Sequence, residues 1–150
     1  MYSALYAAAE INVDSPYSQQ DSIKLIKQVS NSIELKQRQL HDRFVDDNDA
    51  LVQQIIQQTR ALSALLAQQV QMLEQLQQKY GVQLRSKCNE DIQEILCVAN
   101  QIQASLNRAV TFGANADPML LNDLAANSFA GATRLNLMQQ RISGKMRKAR

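Results

Sequence analysis

The sequence predicts an all-α fold: an elongated antiparallel bundle of three long helices with coiled-coil-like seams, followed by two short C-terminal helices. Three observations carry this prediction. Residues 49–80 contain neither Gly nor Pro, and Leu51, Ile55, Leu62, Leu65, Leu66, Leu73, Leu76 and Tyr80 recur there at helical spacing. Only four Gly and two Pro occur in 150 residues, so few turns are available. A heptad of small and large apolar residues (Ile92, Ile95, Ala99, Ile102, Leu106) follows the first long stretch.

Taken in order, residues 2–9 have the composition of two helical turns, with Tyr2, Leu5 and Tyr6 available to dock on the body. A helix that short needs a partner surface to persist in water. Residues 11–20 read as a loop, because Asp14, Ser15 and Pro16 favour turns. The first long helix is expected to start between Gln19 and Asp21, with Asp21 as its cap or first-turn acid. Ile26, Ile33 and Leu40 repeat every seven residues along it, joined by Val29 and Phe44.

The acidic run Asp46, Asp47, Asn48, Asp49 interrupts the pattern. Two readings stay open: a reversal with Asp47 or Asn48 capping a second helix, or one unbroken helix over residues 20–80. A calcium loop is excluded, because the segment lacks the central Gly and the twelfth-position Glu. At ~1.5 Å per residue the 49–80 helix spans roughly 48 Å. Its leucine face is wider than a two-stranded seam needs, so it is expected to touch at least two other helices.

Gly81 is placed to end that helix in a left-handed conformation. Residues 82–88 are then a connection, and a third helix starts at Asn89 with Glu90 and Asp91 in its first turn. Residues 111–116 form a loop around Gly113. Asp117 and Pro118 open a short helix, expected to end near Asn127. Residues 128–132, SFAGA, read as a flexible join before a last helix over 133–148, whose apolar face is Leu135, Met138, Ile142 and Met146. The chain thus divides into an N-terminal segment (1–18), a long-helix bundle (19–111) and a C-terminal region of short helices with a basic tail (112–150).

Composition narrows the function. Apolar residues make up 45% and charged residues 20%, the balance of a folded globular chain. Cys88 and Cys97 on one helix would hold their Cα atoms ~13 Å apart, too far for a disulfide, which favours a reducing compartment. No signal-peptide pattern and no apolar run of membrane-spanning length occurs, so an intracellular or intravirion location is expected, cytoplasmic or nuclear in a cell. His41 is the one histidine, which leaves Ser and Cys nucleophiles without the convergent base they need. No zinc, phosphate-loop or dinucleotide fingerprint is present. The expectation is a non-enzymatic protein with no cofactor and no metal.

Two features remain as candidate sites. Ile92, Ile95, Ala99, Ile102, Leu106, Leu62, Leu66 and Leu73 form seams that either close an internal core or take a partner helix, from the same chain or another. The second is a charge polarity. From Arg134 onward the chain has six cations and no acid, whereas residues 1–133 carry ten cations and fourteen acids. Arg141, Lys145, Arg147, Lys148 and Arg150 could contact phosphates or an acidic protein; no aromatic interleaves them for base stacking. A membrane-surface helix ranks below both, lacking a Trp or Phe anchor. The leading expectation is an assembly protein that oligomerises or docks in a larger complex. The alternative is a nucleic-acid-associated protein, such as a viral or phage structural component.

Overall fold

A computed structural model describes residues 17–112 and 118–148, and the side chains of residues 22–112 and 119–148. The expected N-terminal turns, residues 11–16 of the expected loop, the 113–116 part of the loop around Gly113, the expected cap Asp117, and Arg150 lie outside the described residues. Residues 17–20 and 111–112, expected as loop, are helical. The described chain is 94% helical and forms four helices: α1 (Tyr17–Phe44), α2 (Ala50–Tyr80), α3 (Val82–Phe112) and α4 (Pro118–Arg147). No strand occurs among the described residues.

Residues 20–80 are two helices, and side-chain hydrogen bonds make the break. The Asp49 carboxylate accepts from the Leu51 N–H at 2.9 Å and caps α2. Asp47 accepts from the Asp49 N–H at 2.8 Å. Gln53 donates to the carbonyls of Phe44 (2.7 Å) and Asp47 (2.9 Å), closing the end of α1 and the turn together. The expected cap at Asp47 or Asn48 is thus displaced to Asp49. Asp47 acts one step earlier, as the acceptor that shapes the turn. Likewise α1 begins at Tyr17, so Asp21 sits inside the helix instead of capping it.

One residue, Gly81, separates α2 from α3. Its φ of 52° lies in the region that disfavours a Cβ, and its N–H donates to the Gln77 carbonyl at 2.9 Å. Residues 82–87 are helical rather than a connection. The backbone leaves helical values at Cys88 (φ −122°, ψ 15°), and the long regular run begins at Asn89. The start signal of Glu90 and Asp91 therefore marks a kink inside a helix.

The two short C-terminal helices are one helix of 30 residues. Gly131 lies within it, and its missing side chain faces α3. A Cβ there would stand 2.9 Å from Ile102 Cδ1 and 3.3 Å from Ile102 Cγ1. The glycine permits close helix approach; it does not interrupt the chain.

The four helices run up, down, up, down. Antiparallel pairing of α1 with α2 is marked by Lys27–Glu74 (3.2 Å) at one end and Gln53–Phe44 at the other. Antiparallel pairing of α3 with α4 is marked by Cys88–Met146 (3.7 Å) and Asn127–Ser105 (2.5 Å). α1 runs parallel to α3: Ser22 meets Gln93 at one end, and Arg43 bonds the Val110 carbonyl at the other. α2 lies along α1 and α4 and meets α3 only across the diagonal, so it packs on two neighbours, as its wide apolar face predicts. Ile26, Ile33 and Leu40 from α1, Ile55, Leu66 and Leu73 from α2, Ile95 and Leu106 from α3, and Leu124, Leu135 and Ile142 from α4 fill the centre. Each such aliphatic side chain contributes about 1.5–3 kcal/mol of transfer free energy. Leu51, assigned to the apolar face by period, is instead exposed beside the capping turn.

Candidate functional site

The eight seam residues all face inward. Ile92, Ile95, Ala99, Ile102, Leu106, Leu62, Leu66 and Leu73 are each at most 3% exposed. Helices of the same chain occupy them: they belong to the bundle core, and any partner meets a different surface.

The basic residues of α4 divide in two. Lys145 donates to Asp91 at 2.7 Å, and Arg134 pairs with Glu94, so both tie α4 to α3. Asp91 is 5% exposed in its side chain, which makes this the most buried carboxylate among the described ion pairs. Its hydrogen bond raises the Lys145 pKa above the ordinary 10.5. Beside them, burial pushes the Cys88 thiol up, opposing the effect of the Lys145 charge. This thiol is a packed apolar group against Met146, not an activated nucleophile. Arg141, Arg147 and Lys148 point to solvent; Arg150 lies outside the described residues.

Helix direction turns the linear charge polarity into a polarity of ends. Residues 17–27, 74–91 and 141–148 meet at one end, with nine cations (Lys24, Lys27, Lys79, Arg85, Lys87, Arg141, Lys145, Arg147, Lys148) against four acids. Over a matching depth at the other end, among the described residues 34–57, 103–112 and 119–123, six acids (Glu34, Asp42, Asp46, Asp47, Asp49, Asp123) stand against four cations (Lys36, Arg38, Arg43, Arg108). The basic tail is plain in the sequence, but not that Lys79, Arg85 and Lys87 join it. That juxtaposition needs the Gly81 turn.

A third surface was not anticipated. Between Leu124 and Gln140, α4 carries a single charged residue, Arg134, which is bonded to Glu94. The exposed positions there are Ala126, Asn127, Phe129, Ala130, Thr133, Asn136, Leu137 and Gln140. Phe129 is 74% exposed. On the neighbouring α2, residues 61–73 contain no charge either, and Ala61, Ala64, Ala67, Gln68 and Gln71 face out. The α2/α4 side is therefore a neutral face, whereas α1 and α3 carry the larger share of the charge. The signal lay in the sequence as the absence of charge at the outward positions. It was hidden by the reading of 128–132 as a flexible join between two short helices.

Among the described residues no cluster of three or more His, Cys, Asp or Glu is disposed to hold a metal, and no helix is long and apolar enough to cross a membrane. No protein-family model, curated protein or solved structure matches the chain.

Proposed function

We propose that the chain is a non-enzymatic assembly protein that joins itself or another protein through the neutral outer face of its bundle. The observation that carries this reading is the α4 surface, where an exposed Phe129 and Leu137 sit in a run free of unpaired charge. A solvated helix face ordinarily carries charges, and an uncharged one with an exposed aromatic has the composition of an interface centre. The core seams do not serve this purpose, because they are already filled.

The test combines two measurements on the full chain. Sedimentation across a wide concentration range should show association, and the double variant Phe129→Glu, Leu137→Glu should abolish it with helical content unchanged. A photo-crosslinking residue at Phe129, in cells that produce the chain, should capture a defined neighbour. A monomer at all concentrations with no adduct at Phe129 would overturn the reading.

The basic end supports a second reading, contact with nucleic-acid phosphates. Arg141, Arg147 and Lys148 are its exposed cations at the end of α4. Deleting residues 141–150 would remove Ile142 and Met146 from the core, so substitution is the cleaner test. Replacing the three by Gln should lower the slope of log affinity against log salt by roughly one for each phosphate that is no longer neutralised. An unchanged slope removes this end as the binding surface.

A further inference from the structure

We infer that the neutral face of α4 takes a second copy of this chain, laid antiparallel along it about a two-fold axis. The inference rests on the assembly reading and specifies its partner.

The outward residues of α4 form a second heptad seam, on the side away from the core. Asp123, Ala126, Ala130, Thr133, Leu137, Gln140 and Gly144 alternate in steps of three and four. The first six are exposed, and a Cβ on Gly144 would meet nothing within 4 Å. An antiparallel copy centred between Gly131 and Ala132 pairs these positions in layers. Ala126 meets the partner's Leu137, and Ala130 meets the partner's Thr133. Each larger side chain thus faces a smaller one, and the two-fold repeats every layer. A parallel copy would set Leu137 against Leu137 and Ala126 against Ala126, crowding one layer and hollowing another.

Charge selects the same direction. Asp123 and Arg141 project from the same side of the seam, 18 residues and five full turns apart. In the antiparallel pair each Asp123 lies beside the partner's Gln140 and Arg141. The basic end of one copy, with Arg141, Arg147 and Lys148, then lies next to the acidic end of the other, with Asp46, Asp47 and Asp49. A parallel pair would bring like ends together, a repulsion of the kind that suppresses wrong pairings. The antiparallel contact is isologous and closes at two copies.

Nitroxide labels read the direction. Cys97 is replaced by Ser, and the fully buried Cys88 is left in place. Labels at Thr133→Cys lie close to the two-fold axis and should give a short inter-copy distance. Labels at Asn122→Cys should stand roughly 30 Å apart along the axis, since each lies about ten residues from the centre at 1.5 Å per residue. Short distances at both sites would mean a parallel pair, and long distances at both would mean a different face. Either result overturns this inference and leaves the assembly reading standing. A monomer whose Phe129 crosslinks to another protein does the same. Asp123→Arg should weaken the dimer a few-fold, and adding Arg141→Asp should recover it; no recovery overturns the register.

Discussion

The inward and outward faces of α4 meet different physical demands within one helix. Inward, α4 is fixed to α3 by Lys145–Asp91, Arg134–Glu94 and Asn127–Ser105, by Met146 against Cys88, and by the close approach at Gly131. Outward, residues 124–140 present no charge to solvent apart from Arg134, which already has its partner. A leucine on either face has the same sequence signature, and its neighbours decide how much it stabilises the fold.

Leu135 and Leu137 give the largest contrast. Leu135 is fully buried, and Leu137 is 44% exposed two residues later. Leu135→Ala should cost about 2–5 kcal/mol, because a cavity remains where the side chain was. Leu137→Ala should change the stability of the monomer by less than about 0.5 kcal/mol. Denaturant unfolding of the two variants, in conditions where the chain is monomeric, measures both. A larger loss at Leu137 than at Leu135 would show that α4 packs with its outward face inside, and similar losses would show that Leu137 is buried as well.

Much of this architecture was legible in the sequence, for reasons that vary by element. The period of Leu62, Leu66 and Leu73 set α2, and the Ile92–Leu106 heptad set α3, because each is long enough to override local exceptions. Gly81 was legible because a positive φ leaves few alternatives to glycine. Gly131 was misread by the same logic. A glycine in a helix can mark an end or a close contact, and only Ile102, 29 residues earlier in the chain, distinguishes the two. Whether the seams close on one another or on a partner was equally invisible, since periodicity identifies an apolar face but not what covers it. The neutral α4 face appeared only once 118–147 was one helix with a defined inside.

Charge gives the second contrast, with Lys145 against Arg141. Removing Lys145 as Ala leaves the Asp91 carboxylate buried without its ammonium. The expected cost is roughly 1–3 kcal/mol, toward the lower limit because the Lys145 side chain is itself 44% exposed and screened. Arg141→Ala should cost less than about 0.5 kcal/mol in the monomer. The alkaline limb separates the two further. The folded Lys145 pKa lies above its ordinary 10.5, so the pair's contribution is complete below that pH and is lost as pH rises through the folded value. Lys145→Ala should remove this part of the alkaline loss, and Arg141→Ala should leave it in place.

The third contrast is between the two glycines: alanine should stabilise the fold at Gly144 and should not at Gly131. Both lie in the helix, so an alanine at either gains about 1 kcal/mol in helix propensity. At Gly144 nothing opposes that gain, because the new methyl meets no atom within 4 Å. Gly144→Ala should therefore raise the stability of the monomer by about 0.5–1 kcal/mol. At Gly131 the methyl meets Ile102 Cδ1 at 2.9 Å and Cγ1 at 3.3 Å, with Val98 Cγ1 behind them at 3.5 Å. Ile102 is buried among its neighbours, so it has little room to turn away. Overpacking of this kind costs about 1–3 kcal/mol, which cancels or exceeds the propensity gain. Gly131→Ala should be neutral to destabilising, and the larger Gly131→Val clearly destabilising. A stabilising Gly131→Ala would mean that α3 and α4 stand further apart than a 2.9 Å approach to Ile102 requires, and it would return Gly131 to the role of a weak point in the chain.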